Sequence, residues 1–96
     1  MNRDEIKEKL ISLCAEIFKD SNVDTDLLEY VDFSDDLGMD SITFISIVVE
    51  VEDIFGITVP DDMLLMENFR NVDGIIKIIE GEMNSDNDDK EEQEDE

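Results

Sequence analysis

The sequence has no histidine and no tryptophan, one cysteine (Cys14) and one proline (Pro60). Without histidine a serine–histidine nucleophile pair cannot form, and no lysine lies near Ser41 in sequence to act as base in its place. A lone cysteine makes no intramolecular disulfide, and the chain offers no ligand spacing of a zinc site, so neither metal ligands nor catalytic residues are assigned. Cys14 reads as a small buried thiol, and the thiol count fits a reducing compartment. No apolar run reaches transmembrane length, and the opening MNRDEIKEKL alternates charges with single apolar residues where a signal peptide has a continuous apolar stretch. The expectation is a cytoplasmic protein that does not insert into membranes.

Positive charge is also scarce. Against 29 acids there are 7 basic residues, for a net charge of −22. A field of that sign repels nucleic-acid phosphates and anionic membranes, and it attracts basic docking patches on other proteins. Nine of the 29 acids and one of the 7 bases fall in residues 82–96, so residues 1–81 carry 20 against 6, a net charge of −14. That last segment has one apolar residue, Met83, too little to offset the conformational entropy of ordering it, and reads as a disordered acidic tail. Residues 1–81 form one domain of about 80 residues, whose core is too shallow for a deep catalytic cavity.

Apolar residues set the elements. Ile6, Leu10, Leu13, Ile17 and Phe18 recur at helical spacing, with Asn2 and Glu5 placed as a capping box, which predicts a first helix over 2–18. Residues 20–36 keep no period and read as a long loop pinned by Leu28, Tyr30, Val31 and Phe33. A second helix runs from Asp40 or Ser41 to Phe55, capped by Asp40 and stopped at Gly56. Pro60, Asp61 and Asp62 open a short third helix through Met66. Asn71 caps a fourth, with Val72, Ile75, Ile76 and Ile79 on one stripe, ending near Gly81. The fold class is therefore all-α, a small four-helix bundle of three longer helices and one short one, with a long first loop.

On the second helix, Phe44, Ile47, Val48, Val51, Ile54 and Phe55 share the core face. Ile42, Ile45 and Val49 form another apolar stripe on roughly the opposite side, flanked by Ser46, Glu52 and Asp53. Either the long loop covers this stripe, or it stays exposed within a rim of acids as a transient docking face, the reading its position just after Ser41 favours. Ser41 sits in the first turn after Gly38, where free amides and the helix dipole stabilise a phosphate. Position alone fits a helix-capping role equally well.

The run Asp36-Leu37-Gly38-Met39-Asp40-Ser41-Ile42 resembles the D-L-G-x-D-S-L signature of the acyl carrier proteins, with Ile in place of the last Leu. Glu52, Phe55, Val59, Pro60 and Asp61 follow in that family's order and spacing, and Phe33 stands where its loop anchor belongs, so the resemblance covers residues 4–81. It implies that a phosphopantetheinyl transferase attaches the 4′-phosphopantetheine of coenzyme A to Ser41, with Asp40 and Gly38 in the attachment loop. It further implies a non-enzymatic, monomeric carrier that delivers acyl groups to acyltransferases, ketosynthases and related enzymes with basic docking patches, in fatty-acid or specialised lipid and polyketide synthesis. Ile42, Ile45, Val49, Glu50, Glu52 and Asp53 match its partner-docking face. Thr43 and Ser46 depart from it, because many bacterial fatty-acid carriers have acids there.

Other readings stay open: a carrier of aminoacyl or peptidyl groups, an unmodified interaction module, or a cation-binding protein suggested by Asp24, Asp26, Asp86, Asp88 and Asp89. The last lacks the glycine and closing glutamate of a calcium loop.

Overall fold

The structure, a computed structural model, describes residues 2–88, with side chains through residue 84. Its described residues form an all-helical bundle of three α-helices, α1 (Arg3–Ile17), α2 (Ser41–Phe55) and α3 (Val72–Asp88), joined by short 3-10 turns. α1 packs against both α2 and α3, and the turns at 25–30 and 66–69 close the remaining sides.

α1 begins as its sequence dictates. The Asn2 side chain accepts from the Glu5 amide at 2.8 Å, and the Glu5 carboxylate accepts from the Asn2 amide at 3.2 Å, so two otherwise orphan N–H groups are satisfied reciprocally. Ile6, Leu10, Leu13 and Cys14 are buried, with Phe18 beyond the helix end. Burial in apolar surroundings pushes the Cys14 thiol up to about 12, so it stays a protonated core side chain.

The connection from α1 to α2 contains two 3-10 turns, Lys19–Ser21 and Thr25–Tyr30. Leu28 and Phe33 are the expected anchors, fully buried, and the Phe33 ring lies 5.0 Å from that of Phe18. Tyr30, also expected as an anchor, is not one, because 76% of its surface is exposed. A tyrosine keeps its hydroxyl hydrated by lying at the surface.

α2 starts at the Asp40 cap and ends at Gly56, whose φ of +64° is the left-handed conformation that glycine adopts without cost. The short helix expected after Pro60 is instead two 3-10 turns, Asp61–Met63 and Met66–Phe69. The chain breaks between them because the Met63 carbonyl accepts from the Leu65 amide at 2.8 Å and the Asn68 side-chain amide at 3.1 Å, which replaces a helical donor. Phe69 is thereby driven into the core, 5.4 Å from the Phe44 ring in an edge-on arrangement.

Asn71 caps α3 through the Gly74 amide at 2.7 Å. Val72, Ile75, Ile76 and Ile79 are all buried, with Ile78 beside them. The helix does not stop near Gly81 as expected but continues to Asp88. Met83 gives the physical reason, since it lies one helical rung beyond Ile79 and packs against the core, extending the apolar stripe past the glycine. From residue 89 onward, the expected disordered tail lies outside the described residues.

Candidate functional site

The loop that delivers the chain to α2 is built around Asp32. Its Oδ1 accepts from the amides of Ser34 at 2.9 Å and Asp35 at 2.7 Å, which starts a tight turn. Asp36 closes that turn in both directions: its amide donates to the Asp32 carbonyl at 2.7 Å, and its carboxylate accepts from the Asp32 amide at 2.8 Å. The amide of Asp35, and after it the Arg70 guanidinium, hold the Asp32 carboxyl below its ordinary value.

Two apolar pins fix this turn to the core. Phe33 and Met39 are buried at its two ends, and the Met39 amide donates to the Phe33 carbonyl at 2.8 Å. Between them Gly38 adopts φ +66°, and its amide donates to the Ser34 carbonyl at 3.2 Å. Nothing lies within 4 Å of where a Cβ on Gly38 would stand, so glycine serves the backbone conformation there and leaves open space beside the helix start.

Asp40 is the N-cap of α2. Its carboxylate accepts from the Thr43 amide at 2.9 Å, and that bond, followed by one from the Thr43 hydroxyl, holds the carboxyl below its ordinary value. Ser41 is the first residue of the helix and is exposed. The amides of Ser41 and Ile42 precede any carbonyl the helix could offer them, so a group on the Ser41 hydroxyl meets the positive end of the dipole with donors close by. An exposed hydroxyl, an open flank at Gly38 and a helix end that favours anions together fit a phosphodiester.

Ile42, Ile45 and Val49 are 78, 53 and 55% exposed, so the long loop does not cover this stripe. Glu50 and Asp53 are exposed beside it. Glu52 is half-buried and engaged, its Oε2 accepting from the Val59 amide at 2.8 Å. Ile54, expected in the core, is 40% exposed, while Ile47, Val48, Val51 and Phe55 are buried and Phe44 packs against them. The core face is narrower than the wheel suggests, and Ile57 and Val59, whose amides donate to the Glu52 carbonyl and carboxylate, are buried just beyond the end of α2.

Asp32, Asp35 and Arg70 were not singled out from the sequence. The one legible hint was the Asp32-Phe33-Ser34-Asp35 spacing of an aspartate that caps its own turn. Among the described residues no three carboxylate or thiol groups converge into a metal site, Asp24 and Asp26 included, and no helix is long and apolar enough to cross a membrane.

A family profile described as "Phosphopantetheine attachment site" matches residues 8–79, the span that contains Gly38, Asp40 and Ser41. An acyl carrier protein of Micrococcus luteus is 35% identical over 77 residues, covering 78% of this chain and 93% of that protein. One from Myxococcus xanthus is 35% identical over 77 residues, covering 78% of this chain and 95% of its own length. A third, from Lactobacillus johnsonii, is 36% identical over 63 residues, 65% of this chain and 75% of that protein.

Proposed function

The chain belongs to the acyl carrier protein family, and from that premise we propose that Ser41 bears the 4′-phosphopantetheine arm that is the family's cofactor. It is a carrier and not an enzyme, and it works with the biosynthetic enzymes that act on its cargo. The arm supplies a terminal thiol that holds an acyl group as a thioester. The protein's own residues do the rest: Gly38 and Asp40 shape the approach, the Ser41 hydroxyl takes the phosphate, and the first turn of α2 stabilises its charge.

The observation that supports this most is the exposure of Ser41 at the first position of a capped helix, at the end of a loop pinned to the core on both sides. A transferase needs an accessible hydroxyl on a fixed backbone, and both conditions hold. Ile42, Ile45 and Val49, with Glu50, Glu52 and Asp53 at the rim, form the surface for the phosphopantetheinyl transferase and for acyltransferases and ketosynthases with basic patches. The acidic field draws such patches in, and the exposed apolar residues give the contact its buried area. The pathway is fatty-acid synthesis or a specialised lipid or polyketide line, with the cargo chosen by the partners, and the carrier acts as a monomer.

Intact mass after incubation with coenzyme A and a promiscuous transferase is the direct test. The wild type gains one phosphopantetheinyl group and Ser41→Ala gains none; an unmodified wild type overturns the assignment.

A further inference from the structure

Arg70 reaches the attachment loop in two ways from the turn that precedes α3. Its carbonyl accepts from the Phe33 amide at 2.6 Å. Its Nη2 lies 2.8 Å from Oδ2 of Asp32 and 3.0 Å from Oδ2 of Asp35. Asp32 is the residue whose other oxygen caps the turn, so one guanidinium grips the carboxylate that organises the loop leading to Gly38, Asp40 and Ser41. The other ion pairs among the described residues join α1, α3 and the 25–30 turn, lie within α3, or link Glu16 at the end of α1 to Lys19 just beyond it; Arg70 is the cation that pairs with the 32–40 loop.

The pose has a cost that points the same way. The Nε of Arg70 is shut off from solvent without an acceptor, a placement that is unfavourable by itself. The two carboxylates are what hold the side chain there. Both carboxylates meet the same nitrogen, Nη2, so the brace is one donor group shared between two oxygens.

We propose that Arg70 is a positioning residue for the loading of Ser41, its guanidinium bracing the Asp32–Asp40 loop in the shape a transferase must grip. The proposal rests on the assignment of Ser41 as the attachment site. Without the brace the loop samples other shapes, and the apparent KM for the carrier rises in inverse proportion to the competent fraction, while turnover of bound carrier is unchanged.

The test measures transferase kinetics on full-length apo-protein carrying Arg70→Ala, Arg70→Lys or Asp32→Asn, with folding checked by circular dichroism. Asn at position 32 keeps an oxygen to cap the turn but loses the charge that holds the guanidinium. Arg70→Ala makes the protein more negative and Asp32→Asn makes it less so. A brace predicts that both raise KM by roughly three- to tenfold with kcat within about twofold, whereas long-range attraction of a basic enzyme predicts opposite shifts. Arg70→Lys recovers part of the loss. Amide exchange at Ser34, Asp35, Gly38 and Met39 quickens by roughly tenfold in Arg70→Ala while Ile75 and Ile76 keep their protection. Unmoved KM values, or shifts of opposite sign, overturn the brace. A wild type that gains no phosphopantetheine overturns the Ser41 assignment and the loading role with it, a distinct result from a modified wild type with unaltered variants.

Discussion

The carboxylate of Glu52 accepts a hydrogen bond from the Val59 amide at 2.8 Å, which ties the last turn of α2 to the extended segment that follows Gly56. The bond is partly buried, so without Glu52 the Val59 amide loses its acceptor at a site only partly open to water. Glu52→Ala is therefore expected to destabilise the fold by about 1–2 kcal/mol. Glu50→Ala and Asp53→Ala, which remove exposed side chains, should stay within about 0.5 kcal/mol of wild type. Urea unfolding of the three variants checks this, and an Asp53 variant as unstable as the Glu52 variant defeats the distinction.

How much of this was legible in the sequence depends on whether a position is decided locally. The caps at Asn2, Asp40 and Asn71 were readable because a capping residue acts on amides two or three positions away. The Val72–Ile79 stripe was readable for the same reason, its period being a local property. Tyr30, Ile54 and the far end of α3 were misread because each depends on distant surface. Tyr30 and Ile54 lie at the surface although their spacing suits the interior, and Met83, packed against the core, carries α3 past a glycine. At the site, Gly38, Asp40 and Ser41 stand out in a short motif, but the Arg70 contact joins positions 35 residues apart, and no local pattern announces it.

Gly38 tests the loop itself. At φ +66° a side chain is strained even though nothing crowds the position. Gly38→Ala should cost about 1–2 kcal/mol. Asn tolerates the left-handed region better, so Gly38→Asn should cost less. Thermal unfolding ranks the two; equal losses would show that crowding and not backbone conformation sets the requirement.

The exposed stripe on α2 separates docking from folding. Ile45 is 53% exposed and Ile47, two residues on, is fully buried. Ile45→Asp is expected to keep its helical circular dichroism and to lie within about 0.5 kcal/mol of wild type, while acyl transfer to a partner enzyme fails. Ile47→Ala should lose about 2–5 kcal/mol through the cavity it leaves. Collapse of the Ile45→Asp fold would return that side chain to the core and remove the docking face.

The Asp40 cap gives a pH signature whose sign is fixed. Its carboxyl titrates below the ordinary 3.8 in the folded state because the Thr43 amide bonds to the ionised form. A depressed carboxyl contributes stability that is fully present above the unfolded value and is lost as pH falls through the folded one. The gap in stability between wild type and Asp40→Ala should therefore be constant from neutral pH down to about 4–5 and narrow only in more acidic solution. Paired urea titrations across that range measure the gap; a gap that closes between pH 7 and 5 assigns the effect to another group.

Residues 1–81 carry 20 acids against 6 bases, so self-repulsion should be the electrostatic quantity that salt acts on most strongly. Salt also screens the ion pairs of Arg3, Lys7, Lys19, Arg70 and Lys77. Those pairs are partly exposed, and surface pairs contribute only about 0–1 kcal/mol each. Repulsion among the surplus acids has no such ceiling at low ionic strength, where the screening length of about 30 Å at 0.01 M exceeds the spacing between them. The melting temperature should accordingly rise by several degrees from 0.01 to about 0.2 M sodium chloride. Calcium chloride at matched ionic strength should give a similar rise if screening is the cause. A much larger rise with calcium would mean that the ion is bound, and a flat response to both salts would show that repulsion does not limit stability.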